Sequence, residues 1–227
     1  MISVSLDQLI YNIRNVLKQR SDDITITDRQ LEFIILYYRA KLIKQEEDKK
    51  RTISSNLIQD FGTYAVQKVD RSEDNTKPTG TYLYRTTNPI PKLIELNQKD
   101  AITYIGGIDK QSSIDFISKA RSKWNRYNKY GKNFSTAYYR NLGGDYYIYI
   151  ESPKGIIKYV NIEGIAENPR NVSGFDPKLD NYPISAYMIS AINELMLSKE
   201  LTIFLQSIPD NINDASTELK NSNMYTK

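Results

Sequence analysis

The sequence predicts an α+β fold in which long N- and C-terminal helices pack together around a central antiparallel β region. Apolar residues recur at helical spacing near both ends of the chain, and they alternate with polar residues in its middle. The 227 residues contain no internal repeat and no composition shift that marks a domain boundary. We therefore expect one structural unit, because elements of this kind bury their apolar faces against one another.

That unit divides into four parts along the chain. We expect an N-terminal helical part over residues 1–62 and a β-rich part with one inserted helix over residues 63–182. A C-terminal helix over residues 183–208 is expected to pack on the N-terminal helices, and residues 209–227 form a polar tail predicted to be flexible.

Two helices are predicted in the first part. Ser5 and Gln8 form a capping box, and the apolar residues that follow lie on one stripe, which is typical of a surface helix. Thr27 and Gln30 repeat the signature and predict a second helix that ends near Arg51. Its first half is apolar on nearly every side, so we expect it to be surrounded by other elements.

The second half of this helix, from Lys44 onward, is almost wholly charged and is expected to project into water. Such a charged end is either a solvated face or a contact with another subunit. Residues 54–61 then predict a short helix that ends at Gly62, a residue type common just past helix ends.

The β region begins after Gly62. Alternating apolar residues predict strands around residues 64–69 and 82–84, joined by an exposed and mobile segment from Asp70 to Gly80. Further strands are expected at residues 92–96 and 101–105. Asn141-Leu-Gly-Gly predicts a hairpin turn between strands at 137–140 and 145–151, and a last strand follows at 156–165.

Two helices complete the prediction. One begins at Ser112 or Ser113 and extends through Trp124, and it is the helix inserted in the β-rich part. The other begins with Pro183 in the first helical position and ends near Phe204.

The chain contains no histidine and no cysteine, which excludes the commonest general base, thiol nucleophiles, structural zinc clusters and disulfides. Paired carboxylates such as Glu46 and Glu47 lie in charge runs, so a carboxylate-dependent hydrolase is disfavoured. We predict no catalytic, cofactor-binding or metal-binding residue and no enzyme activity. No window approaches the roughly 18 uncharged apolar residues of a membrane span, so no membrane partner is expected.

One basic stretch stands out against a net charge of only +4. Trp124, Tyr127 and Tyr130 are interleaved with its six cations. Cations that neutralise phosphates beside aromatic faces that stack on bases favour a nucleic-acid-binding module. Helical spacing of Ile117, Ala120 and Trp124 favours instead a core role for the tryptophan. The candidate nucleic-acid contacts are Lys119, Arg121, Lys123, Arg126, Lys129 and Lys132.

Several strings resemble those of a structural protein of crAss-like tailed bacteriophages, over about residues 5 to 205. They carry no catalytic chemistry. The strings are Ser21-Asp-Asp, Arg29-Gln, Tyr38-Arg-Ala-Lys-Leu-Ile-Lys-Gln45, Arg85-Thr-Thr, Ile90-Pro-Lys-Leu-Ile-Glu-Leu96, Ile105-Gly-Gly-Ile-Asp-Lys110, Phe116-Ile-Ser, Arg121-Ser-Lys-Trp124 and Tyr182-Pro-Ile.

The resemblance implies a virion component of the head-to-tail connector, made in the host cytoplasm. It implies an adaptor ring of about a dozen copies that docks on the portal protein, contacts further tail or ring proteins and lines the channel for packaged DNA. Together with the charged end of the second helix, it points to a subunit or portal interface. The candidate interface residues are Lys44, Lys49, Arg51, Tyr37 and Tyr38.

Overall fold

The computed structural model describes residues 4–20, 26–74, 82–97, 101–125, 134–153 and 156–200. Within these ranges the chain is a mixed α+β protein with four α-helices and seven strands, which confirms the predicted class. The predicted tail over 209–227 lies outside the described residues.

Both N-terminal helices begin where the capping boxes predict. Helix α1 spans Leu6–Arg20, and the backbone N–H of Gln8 donates to Ser5 Oγ at 3.3 Å. Helix α2 spans Asp28–Asp48, with Thr27 as its cap and the reciprocal bond from Gln30 present. These caps satisfy N–H groups that have no partner within the helix, so a local signal fixes each start.

Helix α2 buries one side only, which corrects the prediction of a helix surrounded on all sides. Leu31, Ile35 and Ile43 are fully buried, whereas Phe33 is 70% exposed and Tyr37 is 55% exposed. The helix therefore has more apolar side chains than the rest of the described chain buries.

The strands form one curled sheet in the order β3-β7-β1-β2-β6-β5-β4. All neighbouring pairs are antiparallel except the short parallel pair β4–β5. The strands are β1 Gln59–Lys68, β2 Tyr82–Thr86, β3 Ile102–Gly106, β4 Asp115–Phe116, β5 Thr136–Leu142, β6 Asp145–Ser152 and β7 Tyr159–Gly164. The predicted hairpin is confirmed, since Gly143 and Gly144 join β5 to β6 with positive φ angles.

The two ends of this strand order meet, and the sheet curls round on itself. The N–H of Ile114 donates to the carbonyl of Ile105 at 2.7 Å, and Gly106 pairs with Ser113. A side chain at Gly106 would place its Cβ 1.9 Å from the carbonyl oxygen of Ser112, so only glycine allows this approach. We call this pairing of β3 with residues 113–114 the sheet closure.

The sheet closure corrects the predicted start of the inserted helix. Residues 115–116 form strand β4, and helix α3 begins only at Lys119 and ends at Asn125. Ile114 and Phe116 lie on either side of the polar Asp115, as apolar residues do on one face of a strand. So short an apolar run fits the helical period as well as the strand period.

Gly62 lies inside strand β1 and does not end a helix, contrary to prediction. The segment before it is a single 3₁₀ turn at Ser55–Leu57. The register of β1 against β7 shifts between Asp60 and Gly62, which is a β-bulge with φ of 88° at the glycine. The carboxylate of Asp60 accepts the Gly62 N–H at 2.8 Å and fixes the bulge.

Two further segments differ from prediction. Residues 92–96 form only an isolated bridge between Leu93 and Ala166. Arg71–Asp74 is a 3₁₀ turn held to the sheet, because Glu73 Oε1 accepts the hydroxyl of Tyr149 at 2.7 Å. Of the segment predicted to be mobile, residues 75–80 lie outside the described residues.

Helix α4 spans Ala186–Leu195, with Ser185 rather than Pro183 before its first residue. A π-helical turn follows at Met196–Glu200, and the predicted end near Phe204 lies outside the described residues. Helix α2 packs on both α1 and α4, and apolar residues of all three helices join the sheet in one core.

A fully buried arginine connects the helices to the sheet. Arg39 of α2 is 0% exposed, and its Nε donates to the carbonyl of Pro183 at 2.8 Å. Its Nη1 donates to the carbonyls of Ala166 at 2.9 Å and Glu167 at 3.4 Å. This one side chain therefore links α2 to the segment after β7 and to Pro183, which lies three residues before α4.

Replacement of Arg39 by alanine is expected to destabilise the fold by about 3 kcal/mol, because buried carbonyls lose their donor and a large cavity is left. Urea denaturation measures the change. Arg29→Ala, on the exposed side of the same helix, is the control and should change stability by less than about 0.5 kcal/mol. Equal effects of the two variants would contradict the structural role of Arg39.

The pKa of Asp60 should make the stability of the fold depend on pH. Partial burial raises its pKa, but bonds from Lys110 Nζ, the Gly62 N–H and Asn161 outweigh burial and lower the pKa below its usual value. Because the folded pKa is the lower one, the stabilisation is present above the unfolded pKa of about 3.9 and is lost as pH falls through the folded pKa.

Asp60→Asn keeps the side-chain oxygen but removes the charge. Urea midpoints of the variant should lie below those of the parent chain at pH 7, and the gap should close as pH falls through the lowered pKa of Asp60. A gap that stays constant on acidification would contradict the assignment.

Candidate assembly surfaces

The outward side of α2 carries exposed aromatic rings at helical spacing. Phe33 and Tyr37 are one turn apart, and both rings are more than half exposed. Arg29 precedes them by one turn, and Lys41 and Lys44 follow on the same side. We call these five residues the α2 stripe. Since Tyr37 belongs to it, the structure leaves this candidate interface residue accessible.

Tyr38 is placed differently from its neighbour. It is 2% exposed, and its ring meets that of Tyr37 edge to face with 5.3 Å between centroids. Tyr38 is therefore a core residue of the subunit that supports Tyr37 from below, and it does not lie on the surface where the sequence suggested an interface.

The charged end of α2 is mostly exposed, as expected, but one of its charges is buried. Glu47 is 2% exposed, and its Oε2 accepts the N–H of Asn97 at 2.8 Å. The helix then ends in a Schellman motif, in which Lys50 has a φ of 55°. The Lys50 N–H donates to the main-chain carbonyl of Glu47, and the Arg51 N–H donates to that of Glu46.

The three cations predicted at this end remain at the surface. Lys44 is half-buried on the α2 stripe, whereas Lys49 and Arg51 are exposed beyond it. Arg51 Nη1 lies 3.3 Å from both carboxylate oxygens of Glu46, an exposed pair that contributes little to stability. Lys49 and Arg51 are therefore accessible to solvent, and Lys44 is partly so.

The basic stretch is described only in part. Helix α3 contains Lys119, Arg121 and Lys123, with Lys119 half-buried and Arg121 exposed. Arg126, Lys129 and Lys132 lie outside the described residues. Trp124 is 76% exposed, so the favoured prediction of a core tryptophan is wrong. Helical spacing indicates which residues share one face of a helix, but not whether another element covers that face.

Sequence reasoning missed the buried charges that position these surfaces. Arg39 and Glu47 occur in a run of charged and apolar residues, and their partners lie 50 or more positions away in the chain.

The hydroxyl of Tyr182 is buried next to Arg39, and burial raises the pKa of Tyr182 to about 12. Among the described residues, neither the Tyr182 hydroxyl nor Arg39 Nη2 has a hydrogen-bond partner.

Other kinds of site find less support in the described residues. No three acidic side chains among them are grouped so as to hold a metal ion. In the same part of the chain, no helix has the length and apolar character needed to cross a membrane. The features that remain are exposed aromatic and basic surfaces suited to contact with other macromolecules.

These surfaces belong to a structural protein of the phage virion. The family described as "Phage tail ring protein 2" matches residues 8–222, and the chain belongs to this family. "Ring protein 2" of Bacteroides phage crAss001 is 25% identical over 232 residues, covering 95% of this chain and 98% of that relative. The resemblance to crAss-like phages is thereby confirmed, and the chain is a virion ring protein.

The exposure of Trp124 can be tested directly, because it is the sole tryptophan of the chain. We expect water-like fluorescence emission and ready quenching by acrylamide in the folded protein. Trp124→Ala should change the free energy of unfolding by less than about 0.5 kcal/mol. A loss of about 3 kcal/mol with protected emission would identify a core residue instead.

Proposed function

We propose that this chain is a subunit of an adaptor ring in the head-to-tail connector. About a dozen copies close into the ring by side-by-side heterologous contacts. The ring docks on the portal protein, links it to further tail or ring proteins and lines the channel through which the packaged DNA passes. Its role is structural and not catalytic, with assembly in the host cytoplasm. The observation that carries this proposal is the family match over residues 8–222.

The packing of the helices supports a rigid subunit. Helices from both ends of the chain meet through α2, and we propose that they form one helical body against the curled sheet. Such a body presents fixed surfaces to neighbours, because its elements share one core and Arg39 connects them. Fixed surfaces suit a ring in which every copy must repeat the same contact.

Electron microscopy of the purified chain, alone and mixed with purified portal protein, tests the proposal. We expect closed rings seated on portal assemblies. Particles that contain portal but never this chain would overturn it.

The candidate interface cations provide a second readout. Lys44→Glu, Lys49→Glu or Arg51→Glu should weaken ring assembly on portal, because each reverses an accessible charge. Lys178→Glu, in an exposed loop, is the matched control. Deletion of residues 210–227 should also reduce assembly, and full assembly by the truncated chain would show that the tail is dispensable.

A second candidate function is nucleic-acid binding through residues 119–132. The observation that favours it is Trp124, which is exposed on a helix that also presents Arg121. Binding through several of these cations predicts a steep fall of DNA affinity with salt, and Arg121→Glu with Trp124→Ala should reduce it. A passive channel wall would show little DNA affinity even at low salt.

A further inference from the structure

A second apolar surface lies on the curled sheet, away from the contact between α2 and the sheet. A groove of about 710 Å³ is bordered by the ends of β3, β5, β6 and β7. Three of its large apolar side chains are exposed: Phe134 at 64%, Ile156 at 81% and Tyr159 at 54%. We call it the sheet groove. Isolated apolar residues are common on protein surfaces, but three in one groove mark a contact site.

The sheet groove and the α2 stripe lie toward opposite ends of the subunit. Strand β7 begins at Tyr159, beside the groove, and ends at Gly164. Two residues further on, Ala166 accepts the hydrogen bond from Arg39 of α2. Six residues of extended strand span about 20 Å, so the length of the sheet separates the groove from the helix contact.

The charges of the two surfaces are complementary. The α2 stripe contains three cations, Arg29, Lys41 and Lys44, and no acid. Around the groove, Asp115 contributes to the lining and the carboxylate of Asp109 lies against Gly107, another lining residue. Lys158 also lines the groove, so two carboxylates and one cation lie in or directly against the lining.

A closed ring of identical subunits needs two different surfaces on each copy. Its contacts are heterologous, because the same patch cannot face both neighbours. The two surfaces described here are unlike each other, lie apart and match in apolar character and charge. Among the described residues, none covers either surface.

We propose that the α2 stripe of one copy packs into the sheet groove of the next copy in the ring. Phe33 and Tyr37 contact Phe134, Ile156 and Tyr159, and Arg29 and Lys44 face Asp109 and Asp115. This inference rests on the proposed ring function, and it assigns the subunit contact of that ring to two named surfaces.

The absence of cysteine makes a direct test possible. A chain with both Tyr37→Cys and Ile156→Cys is oxidised with and without purified portal protein and analysed by non-reducing electrophoresis. We expect a ladder of disulfide-linked chains, since each copy can link to two neighbours. Tyr11→Cys with Leu179→Cys, at similarly exposed positions, is the matched control and should give no ladder.

Single-cysteine chains determine which surfaces meet. A Tyr37→Cys chain mixed with a longer, tagged Ile156→Cys chain should form the mixed dimer, and neither should dimerise alone. Dimers of Tyr37→Cys with itself would show that two stripes face each other and would overturn the proposal.

Charge reversal provides a test without oxidation. Arg29→Glu with Lys44→Glu, or Asp109→Lys with Asp115→Lys, should each weaken ring assembly about tenfold. Combining all four changes in one chain should restore assembly to within about threefold. Failure of the combined variant to recover, while either pair alone assembles poorly, would contradict this pairing of surfaces.

Failure of this inference is distinguishable from failure of the proposed function. Closed rings by electron microscopy with no ladder from the double-cysteine chain would overturn the assigned contact and leave the ring intact. Absence of rings on portal for the unmodified chain would overturn the ring proposal and this contact with it.

Discussion

The structure depends on one buried cation that connects elements distant in sequence. Arg39 belongs to α2 and is fully buried where this helix packs on the rest of the subunit. Its side chain donates hydrogen bonds to three main-chain carbonyls in place of water. Burial lowers the pKa of this guanidinium, although nearby Tyr182 raises it. A guanidinium has several donors in a fixed plane, so it sets the orientation of each carbonyl it binds. The position of the helices on the sheet, and so of every outward residue on α2, follows from that geometry.

Local signals in the sequence were sufficient for some elements and not for others. The capping residues Ser5 and Thr27 act within four positions, and the glycines at 143–144 act within one turn, so these features could be predicted. Gly62 could not be interpreted correctly, because its bulge depends on β7, which lies far along the chain. The pairing of Ile114 with nearby Ile105 was missed for another reason, since a short apolar run fits a helix as well as a strand. Distant partners likewise decide that Glu47 is buried.

The candidate surfaces illustrate the same limit at the level of single side chains. Tyr37 and Tyr38 are adjacent and chemically identical, yet one is exposed and the other is in the core. The packing of α2 on α1 and α4 determines which of its aromatic rings are accessible. Trp124 is the converse case, since helical spacing suggested burial and the side chain is exposed.

The sheet closure limits how copies of this protein can associate. An unpaired strand edge invites main-chain bonding by another chain, which leads to strand exchange and fibres. Here β3 already binds Ser113 and Ile114, so part of that edge is occupied within the subunit. At high concentration, copies of this protein therefore have fewer free backbone groups along β3 for irreversible polymerisation, and reversible side-chain contacts are favoured.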